Sequence, residues 1–235
     1  MKRYIFIVLA LGLAISSWAK ELPKQGFGIQ IGWAQPILRL NSPDNVGSKD
    51  SLSMHTKLNG FKAGVVYDAS MVKGFGSSVG INYTFGAAST PWSKKNTSFS
   101  ERTQTLYQQV EVFVDWQYKF EVASETYLML YTGPTIQCGL MWNRSVFERN
   151  EMTDVVTTTK TSRYATSNAD ELLTRLNVTW GVGAGFQYKR YFVRGGYDFG
   201  LVNPYKNRDF TNGNHTHGRL DQWNVKIGMY LWYAD

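Results

Sequence analysis

Cysteine is all but missing from this chain. Cys138 stands alone, which excludes an internal disulfide, and no cysteine sits at the N-terminal processing site where a lipoprotein carries its lipid. Proline is scarce, at 6 residues against 22 glycines, so little interrupts extended backbone. Only 3 histidines occur. Beyond the first residues no apolar run is long enough for a membrane helix. A membrane protein with this sequence must be a closed barrel, because only helices and closed barrels satisfy every backbone group in lipid.

The N-terminus reads as a secretory signal peptide. Met1-Lys2-Arg3 precedes an apolar run from Tyr4 to Ile15, and Ser17-Trp18-Ala19 offers small residues at the two positions a signal peptidase reads. Cleavage is expected after Ala19, leaving 20–235 as one all-β domain. The formal charge of +7 falls to +5 once Lys2 and Arg3 are gone. That modest basic excess suits lipid phosphate or solvent, and export argues against a nucleic-acid partner.

What the chain does have is aromatics, with 8 Trp, 14 Tyr and 13 Phe, and a strict alternation. The stretch 176–205 shows it best. Val178, Trp180, Val182, Ala184, Phe186 and Tyr188 share one face, and Asn177, Thr179, Gly181, Gly183, Gly185 and Gln187 the other. After Lys189-Arg190-Tyr191, Val193, Tyr197, Phe199 and Leu201 oppose Arg194, Asp198 and Gly200. A period of two with one apolar face is a β-strand signal, and the short link makes a hairpin. The apolar face is large and aromatic, the polar face small. A small barrel in lipid wants bulk outside and small or polar groups inside; a soluble hairpin fits this stretch alone equally well.

The rest of the chain decides. The same alternation predicts strands over 26–34, 61–67, 78–85, 106–120, 127–140 and 223–233, with Pro36 ending the first and Pro134 imposing a bulge or bend on the fifth. Long polar connections (39–57, 86–105, 143–175, 203–220) alternate with short turns (69–74, 121–126, 189–191). Outer-membrane barrels have short periplasmic turns and longer extracellular loops, and an even strand number puts both termini in the periplasm. The fold expected is an all-β, eight-stranded antiparallel up-and-down transmembrane barrel, located in the outer membrane. A hairpin hidden in 143–175, whose Thr-rich middle (155–161) suits one, would raise the number to ten.

Gly133-Pro134, the run Trp180-Gly-Val-Gly-Ala-Gly-Phe186, the run Gly196-Tyr197-Asp-Phe-Gly-Leu-Val-Asn203 and the turn Lys73-Gly74-Phe75 together resemble the porin-like outer-membrane β-barrel family of Bacteroidota. The likeness covers essentially the whole mature chain. It implies a small OmpA/OmpX-type barrel and carries over no catalytic residue. The C-terminus departs from the pattern: insertion signals of such barrels usually end on an aromatic, and this chain ends Tyr233-Ala234-Asp235.

The inward rows hold Lys62, Glu111, Asp115, Lys119, Arg194, Asp198 and Lys226, with Asp68 near a turn and expected to be wet. An eight-stranded barrel is just wide enough to be filled by side chains, and unpaired buried charge is costly. These seven residues therefore form either an ion-pair network that holds the barrel shut or the lining of a narrow ion path leaning to anions. His215-Thr216-His217 lacks the further donors a metal site needs. Ser53, His55, Asp209, His215 and Asp221 are the residues a rim hydrolase would draw on. Lys94, Lys95, Arg102, Arg144 and Arg149 are candidates for lipopolysaccharide phosphates, and Cys138 is expected to face lipid.

The function these features favour is non-enzymatic: a structural or surface-interaction barrel with a plugged lumen and no cofactor. A small passive porin for ions or small solutes comes second, and an enzyme with a site at the extracellular rim third. The partners expected are outer-membrane lipid and lipopolysaccharide, the barrel-assembly machinery during insertion, and an extracellular ligand at the long loops.

Overall fold

The computed structural model describes residues 25–41, 56–72, 74–95, 98–164, 173–204 and 217–234. The expected signal peptide lies outside the described residues. The strands are β1 (Gln25–Asn41), β2 (Thr56–Lys57), β3 (Asn59–Val72), β4 (Phe75–Ser89), β5 (Ser93–Lys94), β6 (Phe99–Ala123), β7 (Thr126–Asn150), β8 (Val156–Ser162), β9 (Leu176–Tyr188), β10 (Tyr191–Gly200) and β11 (His217–Ala234).

Eight of these form a ring. β1, β3, β4, β6, β7, β9, β10 and β11 pair antiparallel in that order, and β1 closes on β11 with Ile31 opposite Ile227 and Trp33 opposite Val225. Closure leaves no unpaired edge within the ring, which is what lipid demands of a sheet. β2, β5 and β8 lie off the ring at the long-loop end, paired to β1, β6 and β7 respectively. The Thr-rich segment is thus a strand, yet it adds none to the barrel, and the ring stays at eight.

Alternation sets the two faces. Phe27, Ile29, Ile31 and Trp33 of β1 are exposed, while Gln30 and Ala34 are buried. Ile29, Val65 and Ile81 stand side by side in the middle of the outer wall. Aromatics flank them: Trp33, Phe61 and Phe85 in register toward the long loops, and Phe27, Tyr67 and Trp232 toward the short turns. An apolar band between two aromatic girdles is the outer surface of a transmembrane barrel. Cys138 is on this exposed face, as expected. The short turns use left-handed residues, Gly74 at φ 88°, Glu125 at 57° and Lys189 at 51°.

Several expectations need correction. β1 does not stop at Pro36 but runs on to Asn41. Pro36 falls between the last β1–β3 pair, Ala34 with Gly60, and the β1–β2 pairs that begin at Ile37 with Lys57. Its carbonyl accepts from the Leu58 N–H at 3.0 Å, so the register carries on past it with one donor missing. Pro134 makes no bulge: β7 keeps one register against β6 on either side of it, with only the Val114 and Asp115 pairings dropped. The bulges fall elsewhere, at Gln108/Gln109 and Glu121/Ala123. Much of the expected loops 86–105 and 143–175 is strand, because β6 and β7 extend to 25 residues each. Trp232, placed inward by the period of two, faces outward at 51% exposure. A bulge pairs Phe27 with Trp232 and Gly28 with Tyr230, so Leu231 is extra and both it and Trp232 turn out.

The outward assignment is testable. Ile81→Arg places a charge in the middle of the band and is expected to cost about 2–4 kcal/mol, whereas Met152→Arg at the exposed tip between β7 and β8 costs nothing measurable. Urea titration of the protein folded in lipid vesicles separates the two.

Candidate functional site

The interior is the candidate site. All seven predicted charged residues are buried there, from Lys62, Glu111 and Arg194 at 1% exposure to Asp198 at 9%. They divide into two groups along the lumen.

Asp68 organises the group nearer the short turns. It was expected to be wet and is instead 3% exposed. Its Oδ2 accepts from Arg194 Nη2 at 2.7 Å, from Lys119 Nζ at 3.1 Å and from the Tyr230 hydroxyl. Arg194 also donates to Ser78 Oγ at 2.9 Å and to the Tyr230 hydroxyl at 3.0 Å. Lys119 donates further to Gln187 Oε1 at 3.0 Å. Register sets Asp115 beside Ser78 and Lys226 beside Arg194, and Lys226 Nζ lies 5.0 Å from the Phe113 ring centre.

The second group lies toward the long loops. Lys62 Nζ meets Glu111 Oε2 at 2.6 Å. Glu111 Oε1 accepts from Gln222 at 2.9 Å and from Gln109. Asp198 accepts from Asn224 at 3.0 Å and Gln222 at 3.3 Å. Among the described residues, and with Asp68 included, these two groups hold four cations (Lys62, Lys119, Arg194, Lys226) against four carboxylates (Asp68, Glu111, Asp115, Asp198). The formal charge of these eight residues is balanced, and Arg163, buried against Trp142 at the mouth, is a further cation.

Two apolar clusters pack with these groups. Val66, Phe113, Met129, Phe192 and Tyr230 form one, with Val66 and Phe113 lying between the two sets of charges along β3 and β6. At the long-loop end Leu38, Leu58, Tyr107, Trp142, Tyr164, Leu173 and Leu220 close over the lumen. Tyr107 and Trp142 meet edge to face at 4.8 Å between ring centres. Backbone bonds run from Arg163 N–H to the Trp142 carbonyl and from Leu173 N–H to the Arg163 carbonyl, both 2.9 Å, and tie Tyr164 and Leu173 to the end of β7. Gly139 makes room for it, since a Cβ there would strike the Tyr164 ring. The cavity left beneath is about 10 Å³, space for about one water. Sequence reasoning missed this cap because Leu38, Trp142, Tyr164 and Leu173 fall in or beside stretches that read as strand ends and loops.

The remaining candidates are described only in part. Of the rim hydrolase set, Ser53, His55, Asp209 and His215 lie outside the described residues. Asp221 is on the outer wall, fully buried between Arg39 and Arg219. The backbone of His217 begins β11. Among the loop cations, Lys95 pairs with Glu148, which raises its ammonium above the ordinary lysine value, and Arg149 pairs with Asp154 at 2.5 Å. Arg102 donates to Ser89, while Lys94 lies in β5 and Arg144 in β7.

A closed eight-stranded ring with an apolar outer band and a polar, filled interior defines an outer-membrane β-barrel. The chain belongs to the outer membrane protein beta-barrel domain family, whose model matches residues 10–205. No curated protein sequence matches it. Among solved structures it is similar to Ail, the attachment invasion locus protein of Yersinia pestis, in complex with the heparin analogue sucrose octasulfate, at 10% identity and TM-score 0.40 over 88% of this chain and 99% of that one. It is also similar to Neisserial surface protein A, at 11% identity and TM-score 0.37 over 88% and 97%. A third similarity is to the outer membrane protease OmpT of Escherichia coli, at 6% identity and TM-score 0.29 over 92% and 100%.

Removing Arg194 strands Asp68 in the interior. Arg194→Ala is expected to cost about 3–5 kcal/mol in urea unfolding, because it leaves buried charge uncompensated. Adding Asp68→Asn to that variant recovers part of the loss. An unchanged midpoint for the single variant would contradict the pairing.

Proposed function

We propose that this chain is a non-enzymatic outer-membrane barrel with a side-chain-filled lumen, whose role is structural or surface-interacting. The observation that carries the reading is the interior itself. Opposite charges balance and most of them engage buried amides and hydroxyls, and an apolar cap of Leu38, Leu58, Tyr107, Trp142, Tyr164, Leu173 and Leu220 lies over the mouth. Most of the buried charges meet one another or neighbouring amides and hydroxyls, although Asp68 Oδ1, Gln117 Nε2, Tyr131 Oη and Arg194 Nε make no hydrogen bond. An eight-stranded interior of this kind is filled by side chains rather than open. An enzymatic rim site draws no support from Asp221, the one described member of its expected set, because both guanidiniums already hold it.

The surface-interaction half rests on the hairpin of β6 and β7. It runs beyond the barrel with β5 and β8 paired along its sides, giving the long-loop end a sheet on which an extracellular ligand can settle. The chain is taken to reach the outer membrane after cleavage of residues 1–19 and to be inserted by the barrel-assembly machinery. The narrower affiliation with the porin-like barrels of Bacteroidota rests on the Gly133-Pro134 and Gly/aromatic motifs. Lys94, with the other loop cations, is the contact suggested for lipopolysaccharide phosphate.

Planar-bilayer conductance of the folded mature chain tests the reading. A silent bilayer is expected, with heat-modifiable gel mobility showing that the barrel has formed. Arg194→Ala should lower stability and leave the bilayer silent. Discrete, reproducible open steps in the unaltered protein would overturn the filled lumen in favour of a passive pore.

A further inference from the structure

The outer wall carries a dent at β9, β10 and β11. Register sets Ala184 opposite Gly195, and Gly195 opposite Val225, on the lipid-facing row. With a methyl at one position and no side chain at the next, the wall sinks. Toward the long loops it rises to the Tyr197–Trp223 ring pair, 4.6 Å between centres. Toward the short turns the next row is Phe186, Val193 and Ile227. The groove measures about 780 Å³.

Packing does not require the glycine that makes it. A Cβ on Gly195 would come no nearer than 3.9 Å to the Asn224 carbonyl oxygen and Val225 Cγ2. Gly196 differs: a Cβ there would sit 2.7 Å from the Tyr131 hydroxyl oxygen. Gly195 therefore leaves space on the outside that the barrel has no internal need to leave.

At the long-loop end the groove is lined by two arginines. Arg39 and Arg219 are directly paired across the β1–β11 seam, and their Nε atoms lie 2.9 and 3.0 Å from Asp221 Oδ2. Asp221 is held in turn by the Tyr197 hydroxyl at 2.7 Å and the Gly200 N–H at 3.0 Å. Two guanidiniums share one carboxylate, so one positive charge remains. Their side chains are 37% and 48% exposed. Arg39 Nη2 donates to the Tyr197 hydroxyl at 3.2 Å, and the other Nη atom of Arg39 and the fork of Arg219 carry N–H donors suited to phosphate. The loop cations Lys95 and Arg149, by contrast, are matched with nearby carboxylates.

We propose that this groove is a binding site for a phosphate-bearing lipid of the outer leaflet, with an acyl chain over Ala184 and Gly195 and the headgroup on Arg39 and Arg219. Asp221 is a positioning residue that fixes the two forks. The site depends on the membrane setting of the family and is independent of whether the lumen conducts.

Native mass spectrometry of the folded full chain in detergent tests it, with dimyristoyl phosphatidic acid and dimyristoyl phosphatidylcholine as probes. One equivalent of phosphatidic acid should bind about tenfold more tightly than phosphatidylcholine. Replacing both arginines (Arg39→Gln with Arg219→Gln) should erase that preference. Gly195→Leu, which fits the barrel and fills the dent, should weaken both lipids. Equal binding of the two lipids by the unaltered chain, variants that bind as it does, or displacement of lipid by excess inorganic phosphate would each overturn the proposal. Gel mobility reports folding of every variant, and if the arginine pair fails to fold, Gly195→Leu decides alone.

Discussion

One carboxylate ties this barrel together across its width. Asp68, on β3, takes hydrogen bonds from Lys119 on β6, Arg194 on β10 and Tyr230 on β11. These strands lie on different sides of the ring, so the tie acts across the lumen. Burying a carboxylate costs several kcal/mol unless charge and hydrogen bonds answer it, and the answer here comes from three strands far apart in sequence. The arrangement favours one register, because a one-residue slip of any of these strands would turn its partner out into lipid.

Everything outside that interior follows from the solvent being hydrocarbon. The same alternation that hides Lys62 and Glu111 shows Phe61 and Val112 to the surroundings, the reverse of a soluble fold. Small residues let this happen in a narrow lumen. At Gly133 any side chain would meet the β6 backbone, so the strand lies close to its neighbour and larger groups elsewhere fill the space. Polar matching inside, apolar exposure outside and closure of the hydrogen-bond ring are one solution to one constraint.

The period of two made the ring legible before any coordinates. The eight runs, their alternating connections and the inward placement of all seven charged residues can be read from spacing alone. What could not be read depends on contacts distant in sequence. Asp68 shares the face of Lys62 by simple parity, but its nearness to a turn suggested water, and only Arg194 and Lys119 from other strands exclude it. The cap was hidden because 39–57 and 143–175 look polar on average, and the apolar members Leu58, Trp142, Tyr164 and Leu173 gain meaning only when gathered over one mouth. Trp232 was misplaced by a bulge that leaves no mark in its own strand. Pro36 misled in the opposite way, since one missing donor does not end a strand whose carbonyl at that position is still bonded and whose pairing resumes at Ile37.

The unequal lengths of the strands have a consequence for the cell's silhouette. At about 3.3 Å per residue, the 25 residues of β6 and of β7 trace a contour of about 80 Å, whereas the hydrocarbon band of such a barrel is about 25 Å tall. Even with the usual tilt, much of that contour stands clear of the lipid as a mast, continuous in its hydrogen bonding with the wall below. Among the described residues, Met152 and Val155 therefore stand farthest out along this mast, both exposed.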